Sequence, residues 1–221
     1  MITNRYERCF AADLSFFKMF WVFLIFSILG DFTENLYCIT LLGHFENRSG
    51  LIYGPICEIY GFGAVLMIIL LYRFKDRSIL FLFLASFAIS VFLEFFSSLL
   101  QEWAFGFTPW DYGTSSYAIL GRAHMIYCIF WGIFGVIFVK KLYPKLSSVI
   151  EKLSNKTGVI ITWLLIIFII FDFSISTAAV YRCNQRQQNI PATNIIQVEL
   201  DKYYPDQYLE KVYNRILIGR K

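Results

Sequence analysis

Charge is scarce in this sequence. Only 16% of its residues are Asp, Glu, Lys or Arg, against roughly 25% in an ordinary soluble domain. The basic residues stand singly or in short groups beside apolar runs and form no tract, which excludes a nucleic-acid footprint. Histidine is almost missing, so that His44 and His124 alone could serve as imidazole ligands. The cysteines, Cys9, Cys38, Cys57, Cys128 and Cys183, are scattered and odd in number, with no Cys-x-x-Cys pair. Neither a disulfide framework nor a metal centre follows from that pattern, and no residue set calls for a cofactor. A G-x-x-x-x-G-K-S/T phosphate loop is absent, which excludes ATP hydrolysis by these residues. Tandem repeats and low-complexity linkers are lacking too.

What the chain has in excess is apolar surface. Hydrophobic residues make up 57% and aromatic residues 19%, with 24 phenylalanines among 221 residues. A soluble fold of this length has too little interior to hide them, so lipid is the expected solvent. A bilayer-crossing helix takes about 20 mostly apolar residues. Five stretches qualify: 15–42, 55–73, 78–103, 117–140 and 157–180. The first is not followed by a small-x-small cleavage pattern and runs on into Asp31, Glu34 and Asn35, so it reads as a retained membrane helix. The sequence therefore predicts an all-α, polytopic membrane protein, a bundle of about five transmembrane helices over residues 1–181. A polar tail follows over 182–221, within which PDQYLEKVYNRILI has the pattern of one amphipathic helix.

Lysine and arginine set the orientation. Arg5, Arg8 and Lys18 precede the first run, Arg73, Lys75 and Arg77 follow the second, and Lys140, Lys141, Lys145, Lys152 and Lys156 lie between the fourth and fifth. The alternate loops hold Arg48 and little else. A cytoplasmic N-terminus and an extracytoplasmic C-terminus are expected, in a multi-pass protein of the cell membrane.

Measured from those basic groups at 1.5 Å per helical residue, Glu34, Glu58, Glu94, Arg122 and Asp172 all fall roughly 22–27 Å away. In a hydrocarbon core about 30 Å thick, that is one layer in the outer third. An intramembrane charge is expensive and should face the bundle interior or water, paired where it can be. Helical phase agrees. Ser90, Glu94, Ser97, Ser98 and Gln101 make one stripe, as do Ser27, Asp31, Glu34 and Asn35, while Asp172 and Ser176 are one turn apart. An interfacial position, with side chains snorkelling to the headgroups, would account for the same acids, and Tyr53, Tyr60 and Trp110 would suit an aromatic belt. Gly54-Pro55 reads as a turn into a helix. Glu58 then falls near the positive end of that helix's dipole, and Gly61 and Gly63 allow a close neighbour. Asp111, between aromatics in an outer loop, could bind a cation or cap a helix. Arg122 stands at the start of the fourth run, ready to pair with Glu94 or Glu102. His124 reads as a hydrogen-bonded bundle residue.

Several motifs share an order with a known group. They are Ser27-Ile-Leu-Gly30 with Glu34, Arg48-x-Gly-Leu-Ile-Tyr-Gly-Pro55, Ile59-Tyr-Gly-Phe-Gly63, Glu94, Glu102, Phe105-Gly106, Trp110-Asp-Tyr112, Gly121-Arg122, Trp131-Gly132 and Asp172, closing with Arg182 and Arg186. In these the chain resembles the ABC-transporter type IV permease family of bacterial membrane proteins, over about residues 16–186. Departures stand at Asp31, where an aromatic is usual, at Glu58 in place of proline, at Gly113 in place of serine, and at Ala118 and Leu120 in place of asparagines. The resemblance implies a permease component served by a separate ATPase subunit.

Two functions fit the residues. In the first, Glu34, Glu94 and Asp172 bind a cation or exchange protons in a transporter, with Arg122 neutralising the site and the lipid bilayer as the surrounding medium. Five spans are few for a whole pathway, so a homo-oligomer or partner subunits would complete it. In the second, an outer-facing enzyme or binding module acts on lipid or envelope phosphate, with Arg48, Arg122 and Arg182 gripping the headgroup. Candidate binding residues are Glu34, Arg48, Tyr53, Glu58, Glu94, Glu102, Asp111, Arg122 and Asp172. The charge bias makes one direct prediction. In a background with the native cysteines replaced by serine, Arg48→Cys and Asp111→Cys should react with an impermeant maleimide applied outside intact cells, and Arg73→Cys should not until the membrane is opened. Labelling of Arg73→Cys from outside would invert the topology.

Overall fold

A computed structural model describes residues 9–105, 110–113 and 115–213, the side chains of Leu42 and Phe105 excepted. Arg5, Arg8, Gly106, Thr108, Pro109 and the last residues of the expected amphipathic helix lie outside the described residues. The elements are α1 (Phe16–Leu42), α2 (Glu58–Leu71), α3 (Ile79–Phe105), a hairpin of β1 (Ala118–Ile119) and β2 (Ala123–His124), α4 (Met125–Ile137), α5 (Tyr143–Ile150), α6 (Asn155–Gln187), α7 (Ile195–Tyr203) and α8 (Asp206–Val212). Among the described residues, 4 helical stretches suffice by length and apolarity to cross a membrane: Phe16–Leu41, Ile79–Ala104, Met125–Ile150 and Asn155–Gln187. The all-α polytopic class is therefore as the sequence predicts.

Local chemistry sets the helix ends. Ser15 caps α1 by accepting from the Lys18 N–H at 3.4 Å, and Gly43, at φ 76, ends it in the left-handed region that glycine enters without strain. Between α4 and α5 the chain makes a π turn over Phe138–Leu142. Pro144 follows within the first turn of α5. Its ring has no N–H and crowds the carbonyl four residues back, so the widened turn takes up the misfit. The expected fourth run begins at 117, but its helix starts only at Met125. Residues 118–124 instead form the hairpin, Ala118 pairing with His124 and Ile119 with Ala123.

The second run differs in kind. α2 has 14 residues, roughly 20 Å of helix in a core about 30 Å thick. Residues 44–57, which lead into it, are not helical. Backbone off the helix survives at membrane depth only where protein satisfies its polar groups, and here it does. The Gly50 N–H donates to the Ile56 carbonyl at 2.8 Å, the Ile56 N–H to the Gly54 carbonyl at 2.8 Å, and the Cys57 N–H to the Ser27 carbonyl of α1 at 3.1 Å. The Ser49 hydroxyl sits at the centre, donating to Leu51 and accepting from the Leu51 and Ile56 N–H groups. Close helix packing supports the arrangement. A Cβ at Gly61 would stand 2.6 Å from the Phe23 carbonyl, so only glycine lets α1 and α2 cross this tightly.

The bundle has two unlike ends. At the basic end, Lys18 pairs with Glu151, Lys140 donates to the Arg77 carbonyl at 3.3 Å, and a dry core of Ala11, Val22, Met67, Ile68, Phe138 and Tyr143 fills the space. Towards the other end the buried residues turn polar, with Ser27, Asp31, Ser90, Glu94, Ser98, Asp172 and Ser176. Outward faces, such as Ile160, Leu164, Ile167 and Phe171 of α6, are exposed, as lipid-facing positions must be.

At 33 residues, roughly 50 Å, α6 outruns the hydrocarbon and projects at the polar end. There α7 and α8 fold back on it as two short helices, where one was expected. Ala179, Val180, Cys183, Leu200, Leu209, Val212 and Tyr213 form a small core between them. Arg182 holds Asp201 with two bonds of 2.9 Å, and Arg186 reaches Asp201 and Asp206. The Arg182 guanidinium, with Arg186 beside it, holds the Asp201 carboxyl below its ordinary range. A carboxyl depressed in the folded state stabilises above its unfolded pKa of about 3.9 and loses that contribution as pH falls through the folded value. Docking of α7 and α8 should therefore be constant from about pH 5 upwards and be released only below about pH 4. Distances between spin labels at positions 188 and 198 would follow it, and Asp201→Asn should release the pair at neutral pH.

Candidate functional site

The expected site residues do not form one cluster: Asp172 and Tyr53 belong to one hydrogen-bonded group, Glu94, Glu102 and Arg122 to a second, and Glu34, Arg48, Glu58 and Asp111 have neighbours of their own. The first joins α6 to the irregular segment. Asp172 is fully buried, and its two carboxylate oxygens accept the Tyr53 N–H at 3.2 Å each. One turn on, the Ser176 hydroxyl accepts the Ile52 N–H at 2.9 Å and donates to Asp172 at 3.1 Å. A buried acceptor set of this kind answers main-chain donors that would otherwise face lipid. The Tyr53 ring turns outward, and its hydroxyl meets that of Tyr204 at 2.5 Å. The Tyr213 hydroxyl donates to the Gly50 carbonyl at 3.3 Å. The C-terminal helices and Asp172 thus hold the same turn from two sides.

Glu58, in the first turn of α2, lies over Gly50, where a Cβ would collide with its carboxylate. Its Oε2 is buried without a hydrogen-bond partner among the described residues. Glu34 accepts from the Tyr60 hydroxyl. The Tyr60 ring overlies Gly30 on α1 and packs 5.1 Å from the ring of Trp131 on α4. Arg48 pairs with Glu46 at 2.8 Å and donates to the Cys38 thiol at 3.0 Å.

The second group joins α3 to the hairpin before α4. Glu94 accepts the His124 N–H at 3.0 Å, placing an anion at the N-terminus of α4, where the helix dipole favours it. Arg122, expected on the fourth helix, sits instead in the hairpin turn. It pairs with Glu102, not Glu94, and donates to Ser98 at 3.2 Å. The turn passes through Leu120 at φ 50 and Gly121 at φ 72. Glycine accepts that conformation freely, whereas leucine does so under strain. Trp110 donates its indole N–H to the Arg122 carbonyl at 2.7 Å. Asp111 is exposed, and its carboxylate accepts the Gly113 N–H at 2.7 Å. His124 meets the Ser115 hydroxyl at 2.9 Å and packs between Tyr112 and Tyr127.

A cavity of about 410 Å³ opens between α1 and the irregular segment, lined by Asp31, Asn35, Asn47, Ser49, Tyr53 and Pro55 among others. Of these the sequence reading selected only Tyr53. Asp31 and Asn35 were visible as part of a polar stripe, but nothing in the sequence said which loop would face them. Ser49 carried no signal beyond its place between an arginine and a glycine.

The residues that build both groups are those of a recognisable family. A family profile described as “Putative ABC-transporter type IV” matches residues 21–177. The chain belongs to that family. The match runs from Trp21 in α1 to Thr177 in α6, so both hydrogen-bonded groups lie within the family region and α7 and α8 follow it. No curated protein and no solved structure matches the chain. Within this ABC-transporter type IV chain, Asp172 has the clearest local duty. Asp172→Ala should leave the Tyr53 N–H unanswered, at a cost of about 1–3 kcal/mol. Hydrogen exchange in residues 48–57 should speed up while α3 and α4 stay protected. Unchanged exchange there would deny Asp172 this duty.

Proposed function

We propose that the chain is the membrane-embedded permease component of a transporter, with a polar pocket in the outer third of the membrane that handles an ion or small solute. ATP hydrolysis would come from a separate subunit. The observation that carries this reading is the contrast between the two halves of the bundle. One half is filled by apolar side chains, with Lys18, Ser86 and Thr162 as its buried polar residues, while the other buries the acids Glu94, Asp31 and Asp172 and several serines on different helices. Burying acids in a membrane protein is costly, and such groups mark ion and solute paths.

The supporting geometry also suggests how the parts divide. Asp172 and Ser176 fix the turn that heads α2, and broken backbone of this kind lines solute sites in transporters. Glu34 and Glu94 are the acids with simple, exchangeable partners, a tyrosine hydroxyl and one backbone N–H. We place the N-terminus in the cytoplasm and the tail outside. The ends of the chain support this, since Phe10 bonds Asn155 at the basic end while Tyr213 bonds Gly50 at the polar end. A second copy or a partner subunit would complete the pathway. A phosphate-gripping role finds less support, because Arg48, Arg122 and Arg182 each pair with an acid of this chain.

The test is flux through sealed vesicles carrying the protein, read over a panel of labelled cations and small solutes. Wild type should move at least one of them, and Glu94→Gln, which keeps the shape but not the charge, should slow it roughly tenfold, in the range of one lost electrostatic contact. No flux for any member, together with modification of a lipid headgroup by the purified protein, would overturn the reading.

A further inference from the structure

Asp31 is the least reconciled acid in the molecule. It is 4% exposed and lies about four turns into α1. One of its oxygens accepts the Asn35 amide at 2.9 Å, while the other, Oδ1, is buried with no hydrogen-bond partner among the described residues. Asn35 Oδ1 is buried and unpartnered in the same way. The two residues stand one turn apart on a single face of α1, and both line the cavity of about 410 Å³. Among the described residues no lysine or arginine forms an ion pair with Asp31, and the neighbouring charge that acts on it is another acid, Glu34. A buried carboxylate with one orphaned oxygen, next to a carboxamide with another, facing a cavity, lacks a positive charge.

We propose that this cavity binds an alkali metal cation, sodium or potassium, through Asp31 Oδ1 and Asn35 Oδ1, with water completing its shell. The chemistry of the donors selects the ion. Both are hard oxygens, which suit alkali and alkaline-earth ions and not copper or zinc. Among the described residues no trio of His, Cys, Asp or Glu converges to hold a transition metal. Calcium and magnesium sites draw on more carboxylate charge than one aspartate provides, and Glu34, the acid whose charge acts on Asp31, is engaged by the Tyr60 hydroxyl. One negative charge balanced by one positive charge leaves the site neutral, which is the cheapest state at that depth. Asp31 and Asn35 stand on the α1 wall of the cavity and the irregular segment forms the opposite wall, so the ion's water shell would lie between the two. This inference concerns binding alone and does not rest on the chain being a permease.

The full-length chain, purified in detergent with a chelator of divalent ions present, would be melted in sodium, potassium or choline chloride at equal ionic strength, following tryptophan fluorescence. The melting temperature should be several degrees higher in at least one alkali salt than in choline, and Asp31→Asn should abolish the difference. Direct binding of radioactive sodium and rubidium to wild type by equilibrium dialysis keeps the test open if that variant does not fold. Asn35→Leu should raise the cation concentration needed by about tenfold, the usual scale for one lost polar contact. Equal melting in all salts with no radioactive cation bound, or a salt difference that survives Asp31→Asn, would overturn the proposal, as would a melting temperature that answers to proton concentration only. Because melting and dialysis need no flux, their failure is separable from a failure of transport.

Discussion

Main-chain amides cannot be left bare in lipid, and residues 44–57, between α1 and α2, lie outside any helix. Everything at the polar end is arranged around that demand. Asp172 and Ser176 answer the amides of Tyr53 and Ile52 from α6, Ser49 answers those of Leu51 and Ile56 from within, and Ser27 lends a carbonyl from α1. Gly61 brings α2 close enough to α1 for the last of these contacts to form. Tyr53-Gly54-Pro55 is therefore a turn held by another helix, and Asp172, read from sequence as a candidate for solute, is first of all its anchor.

That demand shapes the function as well. A helix that began at the membrane surface would present no break, and the polar half of the bundle would have no cavity. By keeping residues 44–57 out of a helix, the chain trades helical hydrogen bonds for side-chain ones. It gains a walled space bordered by α1 on one side and irregular backbone on the other. The acids then differ in what they have left over. Asp172 has both oxygens engaged by the protein, Glu94 accepts a backbone N–H, and Asp31 and Glu58 each keep an oxygen without a hydrogen-bond partner among the described residues. A graded set of this kind separates structural acids from those with capacity to spare.

Much of the architecture is legible in the sequence, because apolar runs of membrane length allow few alternatives. The first, third and fifth runs became α1, α3 and α6 nearly as their composition dictates. The fourth misled, since Ala118, Ile119 and Leu120 are apolar and continue the run in hydropathy. Only the left-handed turn at Leu120 and Gly121 distinguishes a hairpin there, and the sequence disguises it with a leucine where asparagine would be the usual signal. Arg122 moved with that boundary, from a helix to a turn, and so exchanged Glu94 for Glu102. Depth along helices was readable; partnership was not. It depends on rotation about each helix axis and on loops whose path the sequence leaves open. The tail likewise showed its polarity but not its fold, because Asp201 and Asp206 find their arginines only once the chain reverses at Pro191 and Pro205.

One feature of α6 carries a mechanical consequence. Asp172 and Arg182 stand on the same unbroken rod, under three turns apart, the first gripping the turn inside the membrane and the second gripping the folded-back tail outside it. A stiff strut with a clasp at each level has no slack. Anything that seizes or displaces the cap of α7 and α8 would pull directly on the mouth of the cavity, so a binding event there has a ready route to the polar interior.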